Sequence, residues 1–439
     1  MPNRRLFMLG SASLLTAACV TGVSGKKSPY VRREGNRFIL DGRPHRYVGA
    51  NMWYAAYLGA EGVSAGRERL VRELDHLADT GISNLRILAS SEKSPLKNSV
   101  SPSFRDSTGF NESLLVGLDF TLAEMAKRDL RAVLYLTNFW EWSGGMMTYL
   151  YWHNGGQYID MNDPAHPWPA FADFNASFYT NEAALADYRR YVRAVVGRTN
   201  TVTGIPYAED RAIMSWQLAN EPRPGGSEDV ARRAMPAFHS WVNDTASYIK
   251  SLDANHMVST GSEGLQGCIN DPDCVLTAHG SDDIDYLTAH IWPENWSWVD
   301  AKNLSGTFEN GRERTRDYLD KHVALAQKLG KPLVIEEFGF PRDAGSYDAG
   351  STTKWRDRFY RQIFDAAEAN PVIAGTNFWA WGGEGGRGQR PDHRYSPGPS
   401  RLVGDPPHEP QGWYSVFDDD RSTLDLIRSH SAAMNAKIA

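Results

Sequence analysis

A closed (β/α)8 barrel, an α/β fold of the TIM type, is what this 439-residue sequence predicts, and three observations predict it. Eight short apolar runs of strand length recur along the chain. Segments of helical period lie between most of them, and no proline-rich linker or break in composition divides the whole. Strands alternating with helices call for a parallel sheet, and eight of them fit a closed ring better than an open one. With 41% hydrophobic and 11% aromatic residues the chain can bury a full-sized core, which excludes a disordered protein.

The first element is not part of the fold. "MPNRRLFMLGSASLLTAACVTG" joins a basic start to a short apolar run, the pattern of an export signal and too short for a spanning helix. Arg4-Arg5 ahead of Leu6-Phe7-Met8 has the character of a twin-arginine signal. Cys19, after Thr16-Ala17-Ala18, is a candidate lipid-attachment site. Residues 1–26 are therefore expected as an export signal and 27–439 as a single catalytic domain, placed in the periplasm, on the outer membrane or outside the cell.

Residues 30–46, "YVRREGNRFILDGRPHR", alternate polar and apolar side chains around Gly35-Asn36 and Asp41-Gly42, as a small hairpin does. The eight strand runs follow at 47–51, 84–89, 132–137, 213–219, 257–260, 286–290, 333–337 and 373–379. Helical stripes are carried by Leu70, Leu74, Leu77 and Ala78; by Leu114, Leu118, Leu122 and Met125; by Leu185, Tyr188, Val192 and Val195; by Leu319, Val323, Ala326 and Leu329; and by Trp355, Phe359, Ile363 and Ala366. No clear helix follows the fifth strand. Two long loops, 139–180 after strand 3 and 382–416 after strand 8, fall on the face where barrels build their sites.

The net charge of −6 leaves no footprint for nucleic acid, and no helix carries a basic stripe for a membrane surface. An uncharged ligand fits better, and 14 Trp with 19 Tyr suit sugar rings as well as they suit a core. Cys268 and Cys274 in "GCINDPDC" read as a local disulfide in an exported protein, with free thiols as the alternative. Two thiolates are too few for structural zinc.

The chemistry is expected at two strand ends. The run "IMSWQLANEPRP" puts Asn220-Glu221 at the mouth of the fourth strand, and "KPLVIEEFGF" ends the seventh strand in Glu336-Glu337. A carboxylate at a buried strand end loses hydration, so it needs a partner or a task. Strand parity assigns one of Glu336 and Glu337 to the barrel axis and the other to the helix layer. Two carboxyls from opposite sides of a barrel mouth meet the needs of glycosidic cleavage, one protonated to donate and the other ionised to attack or to activate water.

"LANEP" and "EEFG" resemble the acid/base and nucleophile signatures of glycoside hydrolase family 5, a family of retaining enzymes on (β/α)8 barrels. "GANMWYAAYL", "NLRILA", "LTNFWEWSGGM", "LTAHIWPENWSW", "NFWAWGGEG" and "EPQGWYSVFD" resemble, in order, segments of its β-mannanases. The resemblance implies a mannan endo-1,4-β-mannosidase acting by double displacement on mannan, glucomannan or galactomannan, needing no metal or cofactor and expected as a monomer. Glu221 would be the acid/base and Glu337 the nucleophile. Asn220 would bind the sugar 2-hydroxyl, Arg86 would keep Glu337 ionised, and His290 would lie near the acid/base. Trp379 would floor the cleavage site, with Trp53 and Trp140 lining neighbouring subsites. Many relatives carry His-x-Tyr on the sixth strand; this chain has His290-Ile291-Trp292, which leaves the partner of Glu337 beyond Arg86 open. Sequence also leaves open whether attack is internal or from chain ends, since that depends on what the two long loops block.

The alternatives are a β-1,4-glucanase or an exo-acting mannobiohydrolase of the same family, and a non-catalytic carbohydrate-binding protein, which would be expected to lack one of the acids. A serine esterase is more remote. "GVSAG" around Ser64 matches G-x-S-x-G, but Ser64 serves equally as an N-cap for the helix of Leu70 and Leu74. Asp418-Asp419-Asp420 reads as the N-terminal cap of the last helix rather than a calcium loop, and "GGEGGRGQ" lacks the Lys-Ser or Lys-Thr of a phosphate loop.

Overall fold

The computed structural model describes residues 28–62, 64–348, 350–386, 392–398 and 400–436, so the export signal and Cys19 lie outside the described residues. Eight strands form the barrel: β1 (Tyr47–Asn51), β2 (Asn84–Leu88), β3 (Arg131–Tyr135), β4 (Ile213–Gln217), β5 (Met257–Ser259), β6 (Leu287–Ile291), β7 (Leu333–Phe338) and β8 (Ile373–Phe378). They are hydrogen-bonded in the order β5-β4-β3-β2-β1-β8-β7-β6, and every pairing is parallel. The β5/β6 seam is closed by single backbone bonds, Asp285 N–H to Val258 O (2.8 Å) and His290 N–H to Glu263 O (3.1 Å). Each strand is buried along nearly its whole length, as a sheet wrapped by helices must be.

The helices that alternate with these strands are α1 (Ser64–Asp79), α2 (Glu112–Ala126), α3 (Glu182–Val196), α4 (Glu228–Leu252), α5 (Pro272–Ala278), α6 (Leu304–Leu329), α7 (Lys354–Ala369) and α8 (Arg421–Ala436). Each follows the strand of the same number. The α4 stripe of Phe238, Trp241, Val242, Thr245, Ala246 and Ile249 has helical spacing. Pro236 precedes it inside the helix and disguises it as a break in the sequence. α5 has only seven residues, too few for a period to show, and is started by Asp271 accepting from the N–H groups of Asp273 and Cys274. Cys268 and Cys274 form a disulfide that ties this helix to the loop before it.

Two expectations change, and one remote alternative falls away. The N-terminal hairpin is a three-stranded antiparallel sheet, Arg32–Glu34, Arg37–Leu40 and Arg43–His45, because both turn signals are used. Its Phe38 is buried with Val31, Tyr47, Met214, Met257, Tyr286 and Val334 and plugs the barrel bottom. Asp420, read as a helix cap, turns its carboxylate inward to Arg342 and Arg356. The "GVSAG" stretch runs into the N-terminus of α1, separated from β1 by the short helix Ala55–Gly59, so the strand-turn-helix elbow of a serine hydrolase is not formed.

Candidate active site

The C-terminal ends of the strands open into a cleft of about 560 Å³. Asn220, Glu221, Trp292, Glu337, Trp379 and Trp140 line it. Arg86 and His290 lie one layer beneath, fully buried.

Arg86 organises this layer. From the middle of β2 its guanidinium donates to Gln217 Oε1 (2.7 Å), Asn51 Oδ1 (3.2 Å), Asn220 Oδ1 (2.8 Å) and Glu337 Oε1, with Glu336 Oε2 at 3.5 Å. Tyr135 lies flat against its other face, 4.5 Å away. Asn220 is held from two sides, its amide also donating to Asn138 Oδ1 (3.1 Å). A fully desolvated guanidinium persists only when its donors are met in this way.

Strand parity misplaces Glu336. β7 carries a bulge against β6, where Ile335 pairs with Ala289 and Glu337 with His290, so two residues of one strand oppose one of the other. Glu336 and Glu337 therefore both face the barrel interior. Glu336 accepts from Gln217 Nε2 and approaches His290 Nε2 at 3.4 Å.

Glu221 sits just beyond β4 with φ of +51°, a left-handed conformation that a non-glycine residue adopts only under constraint. The constraint is local: its N–H donates to Gly261 O (2.8 Å), and a side chain on Gly261 would strike Ala219 O. The carboxylate receives His290 Nδ1 (2.6 Å), Trp292 Nε1 (3.3 Å) and Trp140 Nε1. His290 Nδ1 also reaches Glu337 Oε2 at 3.3 Å, so it is the partner of Glu337 besides Arg86, and Trp292 serves Glu221 instead.

With carboxylates facing both ring nitrogens, His290 is an imidazolium. Burial would lower its pKa, and Glu337, Glu221 and Glu336 together hold it well above the ordinary value. Burial likewise pushes Glu221 up, but His290, Arg223 and Trp140 bring it down to about 2. Glu337 stands above the ordinary value, raised by burial and by the charge on Glu221 against the pull of His290 and Arg86. Oxygens of Glu221 and Glu337 and a nitrogen of His290 lie within 4.8 Å of one another, a spacing that could also hold a cation. Arg86 already neutralises Glu337, however, and an imidazolium is no ligand.

Trp53 is placed differently from expectation. It is fully buried behind the cleft, and its indole N–H donates to Gly404 O (3.0 Å), anchoring the loop after β8. Cleft residues beyond those expected come mainly from the long loops: Trp142, Trp168, Arg223, Glu263, His408 and Glu409. Arg223 is paired twice with Glu263 and stacks on Trp140 and Trp168. Polar residues inside apolar strand runs, such as Asn51 and Gln217, carried a readable signal; loop residues such as His408 carried none.

The glycoside hydrolase family 5 β-mannosidase-like model matches residues 28–438. The chain belongs to that family. It is a glycoside hydrolase, and its barrel is the family's. A mannan endo-1,4-β-mannosidase of Oryza sativa is 30% identical over 403 residues, covering 85% of this chain and 86% of the relative. The crystal structure of a family 5 mannosidase from Rhizomucor miehei is 34% identical, covers 93% of this chain and 98% of that one, and superposes with a TM-score of 0.82. A variant of that enzyme was solved with mannosyl-fructose.

Proposed function

We propose that this family member hydrolyses β-1,4-mannosidic linkages of mannan, glucomannan or galactomannan with retention of configuration. The observation that carries the reading is the approach of the two carboxylates, whose oxygens come within 4.8 Å of each other. Retaining enzymes hold their carboxyls about 5 to 5.5 Å apart, whereas inverting ones need roughly 6.5 to 9.5 Å to admit a water. The similarity to proteins named as mannan endo-1,4-β-mannosidases supports mannan as substrate and internal attack as the first reading.

In the first step an oxygen of Glu337 attacks the anomeric carbon while Glu221 gives its proton to the departing glycosidic oxygen, leaving a glycosyl ester on Glu337. In the second, Glu221 removes a proton from water, whose oxygen attacks the same carbon and releases Glu337. Asn220 meets the sugar 2-hydroxyl and Trp379 lies under the ring. The acid needs a proton, and Glu221 is held low by His290, Arg223 and Trp140 against the push of burial. His290 Nδ1 carries one 2.6 Å away, and moving it to Glu221 leaves the total charge unchanged. That transfer readies Glu221 as the acid, while the Arg86 guanidinium remains against Glu337 to favour its charged form.

Incubation with mannan, glucomannan and cellulose side by side, with the first product's anomer read by proton NMR, tests the proposal. Release of the β-anomer from mannan is expected. Products from cellulose alone would overturn the substrate, and the α-anomer would overturn the double displacement.

Export of residues 27–439 as one monomeric catalytic domain belongs to the same proposal, since a polysaccharide substrate is met outside the cytoplasm. Residues 1–26 would direct it; in the lipoprotein form, cleavage falls before Cys19, which carries the lipid while residues 20–26 serve as the tether. A Cys19→Ser variant that no longer incorporates labelled palmitate would support the anchor; absence of label in the wild type would exclude it.

A further inference from the structure

Glu336 is a fully buried acid beside the reacting pair that no step of the hydrolysis uses. It does not line the cleft, so it cannot touch a substrate. Its place is nevertheless enforced. Strict alternation along β7 would turn it to the helix layer, and the bulge between Ile335 and Glu337 brings it inside by breaking the regular pairing with β6. Its backbone carbonyl accepts from Asn51 Nδ2 (2.9 Å). Its carboxylate is oriented by the amide of Gln217, which takes Arg86 Nε on its oxygen (2.7 Å) and donates from its nitrogen to Glu336 Oε1. Oε2 is thereby left facing His290 Nε2 at 3.4 Å and Arg86 Nε at 3.5 Å. A carboxylate held this deep is unfavourable unless its neighbours use it.

The neighbour that links it to the chemistry is His290. The backbone N–H of His290 is fixed on Glu263 O (3.1 Å), and the two ring nitrogens face different acids. Nδ1 meets the reacting pair, Glu221 Oε1 at 2.6 Å and Glu337 Oε2 at 3.3 Å; Nε2 meets Glu336. When Nδ1 gives its proton to Glu221, the Nδ1–H bond breaks, the electron pair stays on the ring, and an O–H bond forms on Glu221. The imidazole that remains is neutral and holds one proton, which either nitrogen can carry. Only with that proton on Nε2 is Nδ1 free to take the first one back after Glu221 has deprotonated water. An acceptor at Nε2 selects this form.

We propose that Glu336 is a positioning residue for the acid step, holding the Nε2 proton of His290 so that Nδ1 lends a proton to Glu221 and recovers it. The inference rests on the proposed β-mannosidic hydrolysis. The charge on Glu336 also favours the imidazolium, adding to Glu337 and Glu221 against the effect of burial. Among the other groups around the pair, Arg86 is cationic and shared with Glu337. Tyr47, Tyr135 and Tyr286 are raised by burial and stay neutral, and His322 on α6, lowered by burial to about 4, is neutral as well. Glu263, raised by burial to about 7 against the pull of Arg223, titrates in wild type and variant alike and cancels in their comparison.

The test is the pH profile of kcat/KM on mannohexaose, whose basic limb reports loss of the proton shared by His290 and Glu221. Glu336→Gln keeps the shape and removes the charge. An imidazolium that loses a neighbouring negative charge gives up its proton more easily, so the basic limb should move to lower pH by about 1 to 3 units. Above the displaced limb, kcat/KM should fall about 10-fold for each unit moved. Glu336→Asp restores the charge and should recover most of the limb's position. On 4-nitrophenyl β-mannoside, whose leaving group departs without a proton, the loss in kcat/KM should be far smaller. A folded Glu336→Gln with the limb unmoved, or with equal losses on the two substrates, would overturn the inference and leave the hydrolysis standing. Failure of wild type on both substrates would reject the hydrolysis itself. Should Glu336→Gln be unfolded or inactive throughout, heteronuclear NMR of the wild-type His290 ring decides: a proton on Nε2, alone or together with Nδ1, is expected, and a ring protonated on Nδ1 alone would overturn the assignment.

Discussion

Glu337 and Glu409 are buried acids on the same cleft, yet one is met by a guanidinium and an imidazole and the other has no partner closer than a histidine 3.7 Å away. The first stands on a barrel strand, where neighbours from β1, β2, β4 and β6 converge at fixed register. The second stands on a loop that other loop residues hold in place. The difference separates two tasks. A group that must be charged and oriented before substrate arrives is built where its partners are rigid. Glu409, on the loop, has no such set of fixed partners.

The largest break in this comparison is expected at the strand ends. Glu337→Gln removes the nucleophile and keeps the shape, and kcat should fall by about 10³-fold or more, with Glu221→Ala similarly impaired on unactivated mannan. Steady-state kinetics on mannohexaose checks both; near wild-type turnover in either would remove that residue from the mechanism. Arg86→Met comes next, because it takes from Glu336 and Glu337 the guanidinium they share and leaves them only His290. Breaking a buried pair on one side costs about 3–5 kcal/mol, so denaturant unfolding should show a loss of that size as well as a loss of activity. An unchanged midpoint would mean the layer is held by packing alone.

How far the sequence revealed all this follows the same division. Strand runs were legible because burial on both faces leaves a nearly pure apolar signature, and Arg86 or Glu221 stood out against it. α4 was hidden by Pro236, and α5 by its brevity. Parity failed at Glu336 because a bulge depends on cross-strand pairing, which one strand's residues do not encode. His408 and Glu409 lie in a stretch of Gly, Pro and charge whose path is set by contacts with Trp53 and Asp405, far away in sequence or specific to the turn. The Trp53 indole was readable as an aromatic near the site, but not as the anchor of a loop 351 residues later.

Unmatched acids on the loop side also make a prediction about pH. Glu141, behind the cleft, has both carboxyl oxygens without partners, and burial pushes its pKa up to about 7. A carboxyl raised in the folded state favours folding while it is protonated. Its contribution is complete below the unfolded value near 4.5 and is lost as pH climbs through 7. The shift corresponds to about 3 kcal/mol between those limits. Glu141→Gln, neutral throughout, should flatten the fall in stability between pH 5 and pH 8 by most of that amount, read by urea unfolding at the two values. Equal slopes in variant and wild type would show that Glu141 finds a cation or water in solution.

The smallest effect is expected at the far rim. Trp168 is 54% exposed, tilted at 32° to Trp140 with centroids 6.1 Å apart, and carries the Arg223 guanidinium 5.8 Å from its ring. An exposed indole beside the leaving-group side offers a flat face to a sugar without touching the reacting atoms. Trp168→Ala should therefore raise KM for long mannan oligomers by roughly 3- to 10-fold, with kcat little changed and 4-nitrophenyl β-mannoside unaffected. If Trp168→Ala instead altered which bond is cut first, the two ends of the cleft would have to be exchanged.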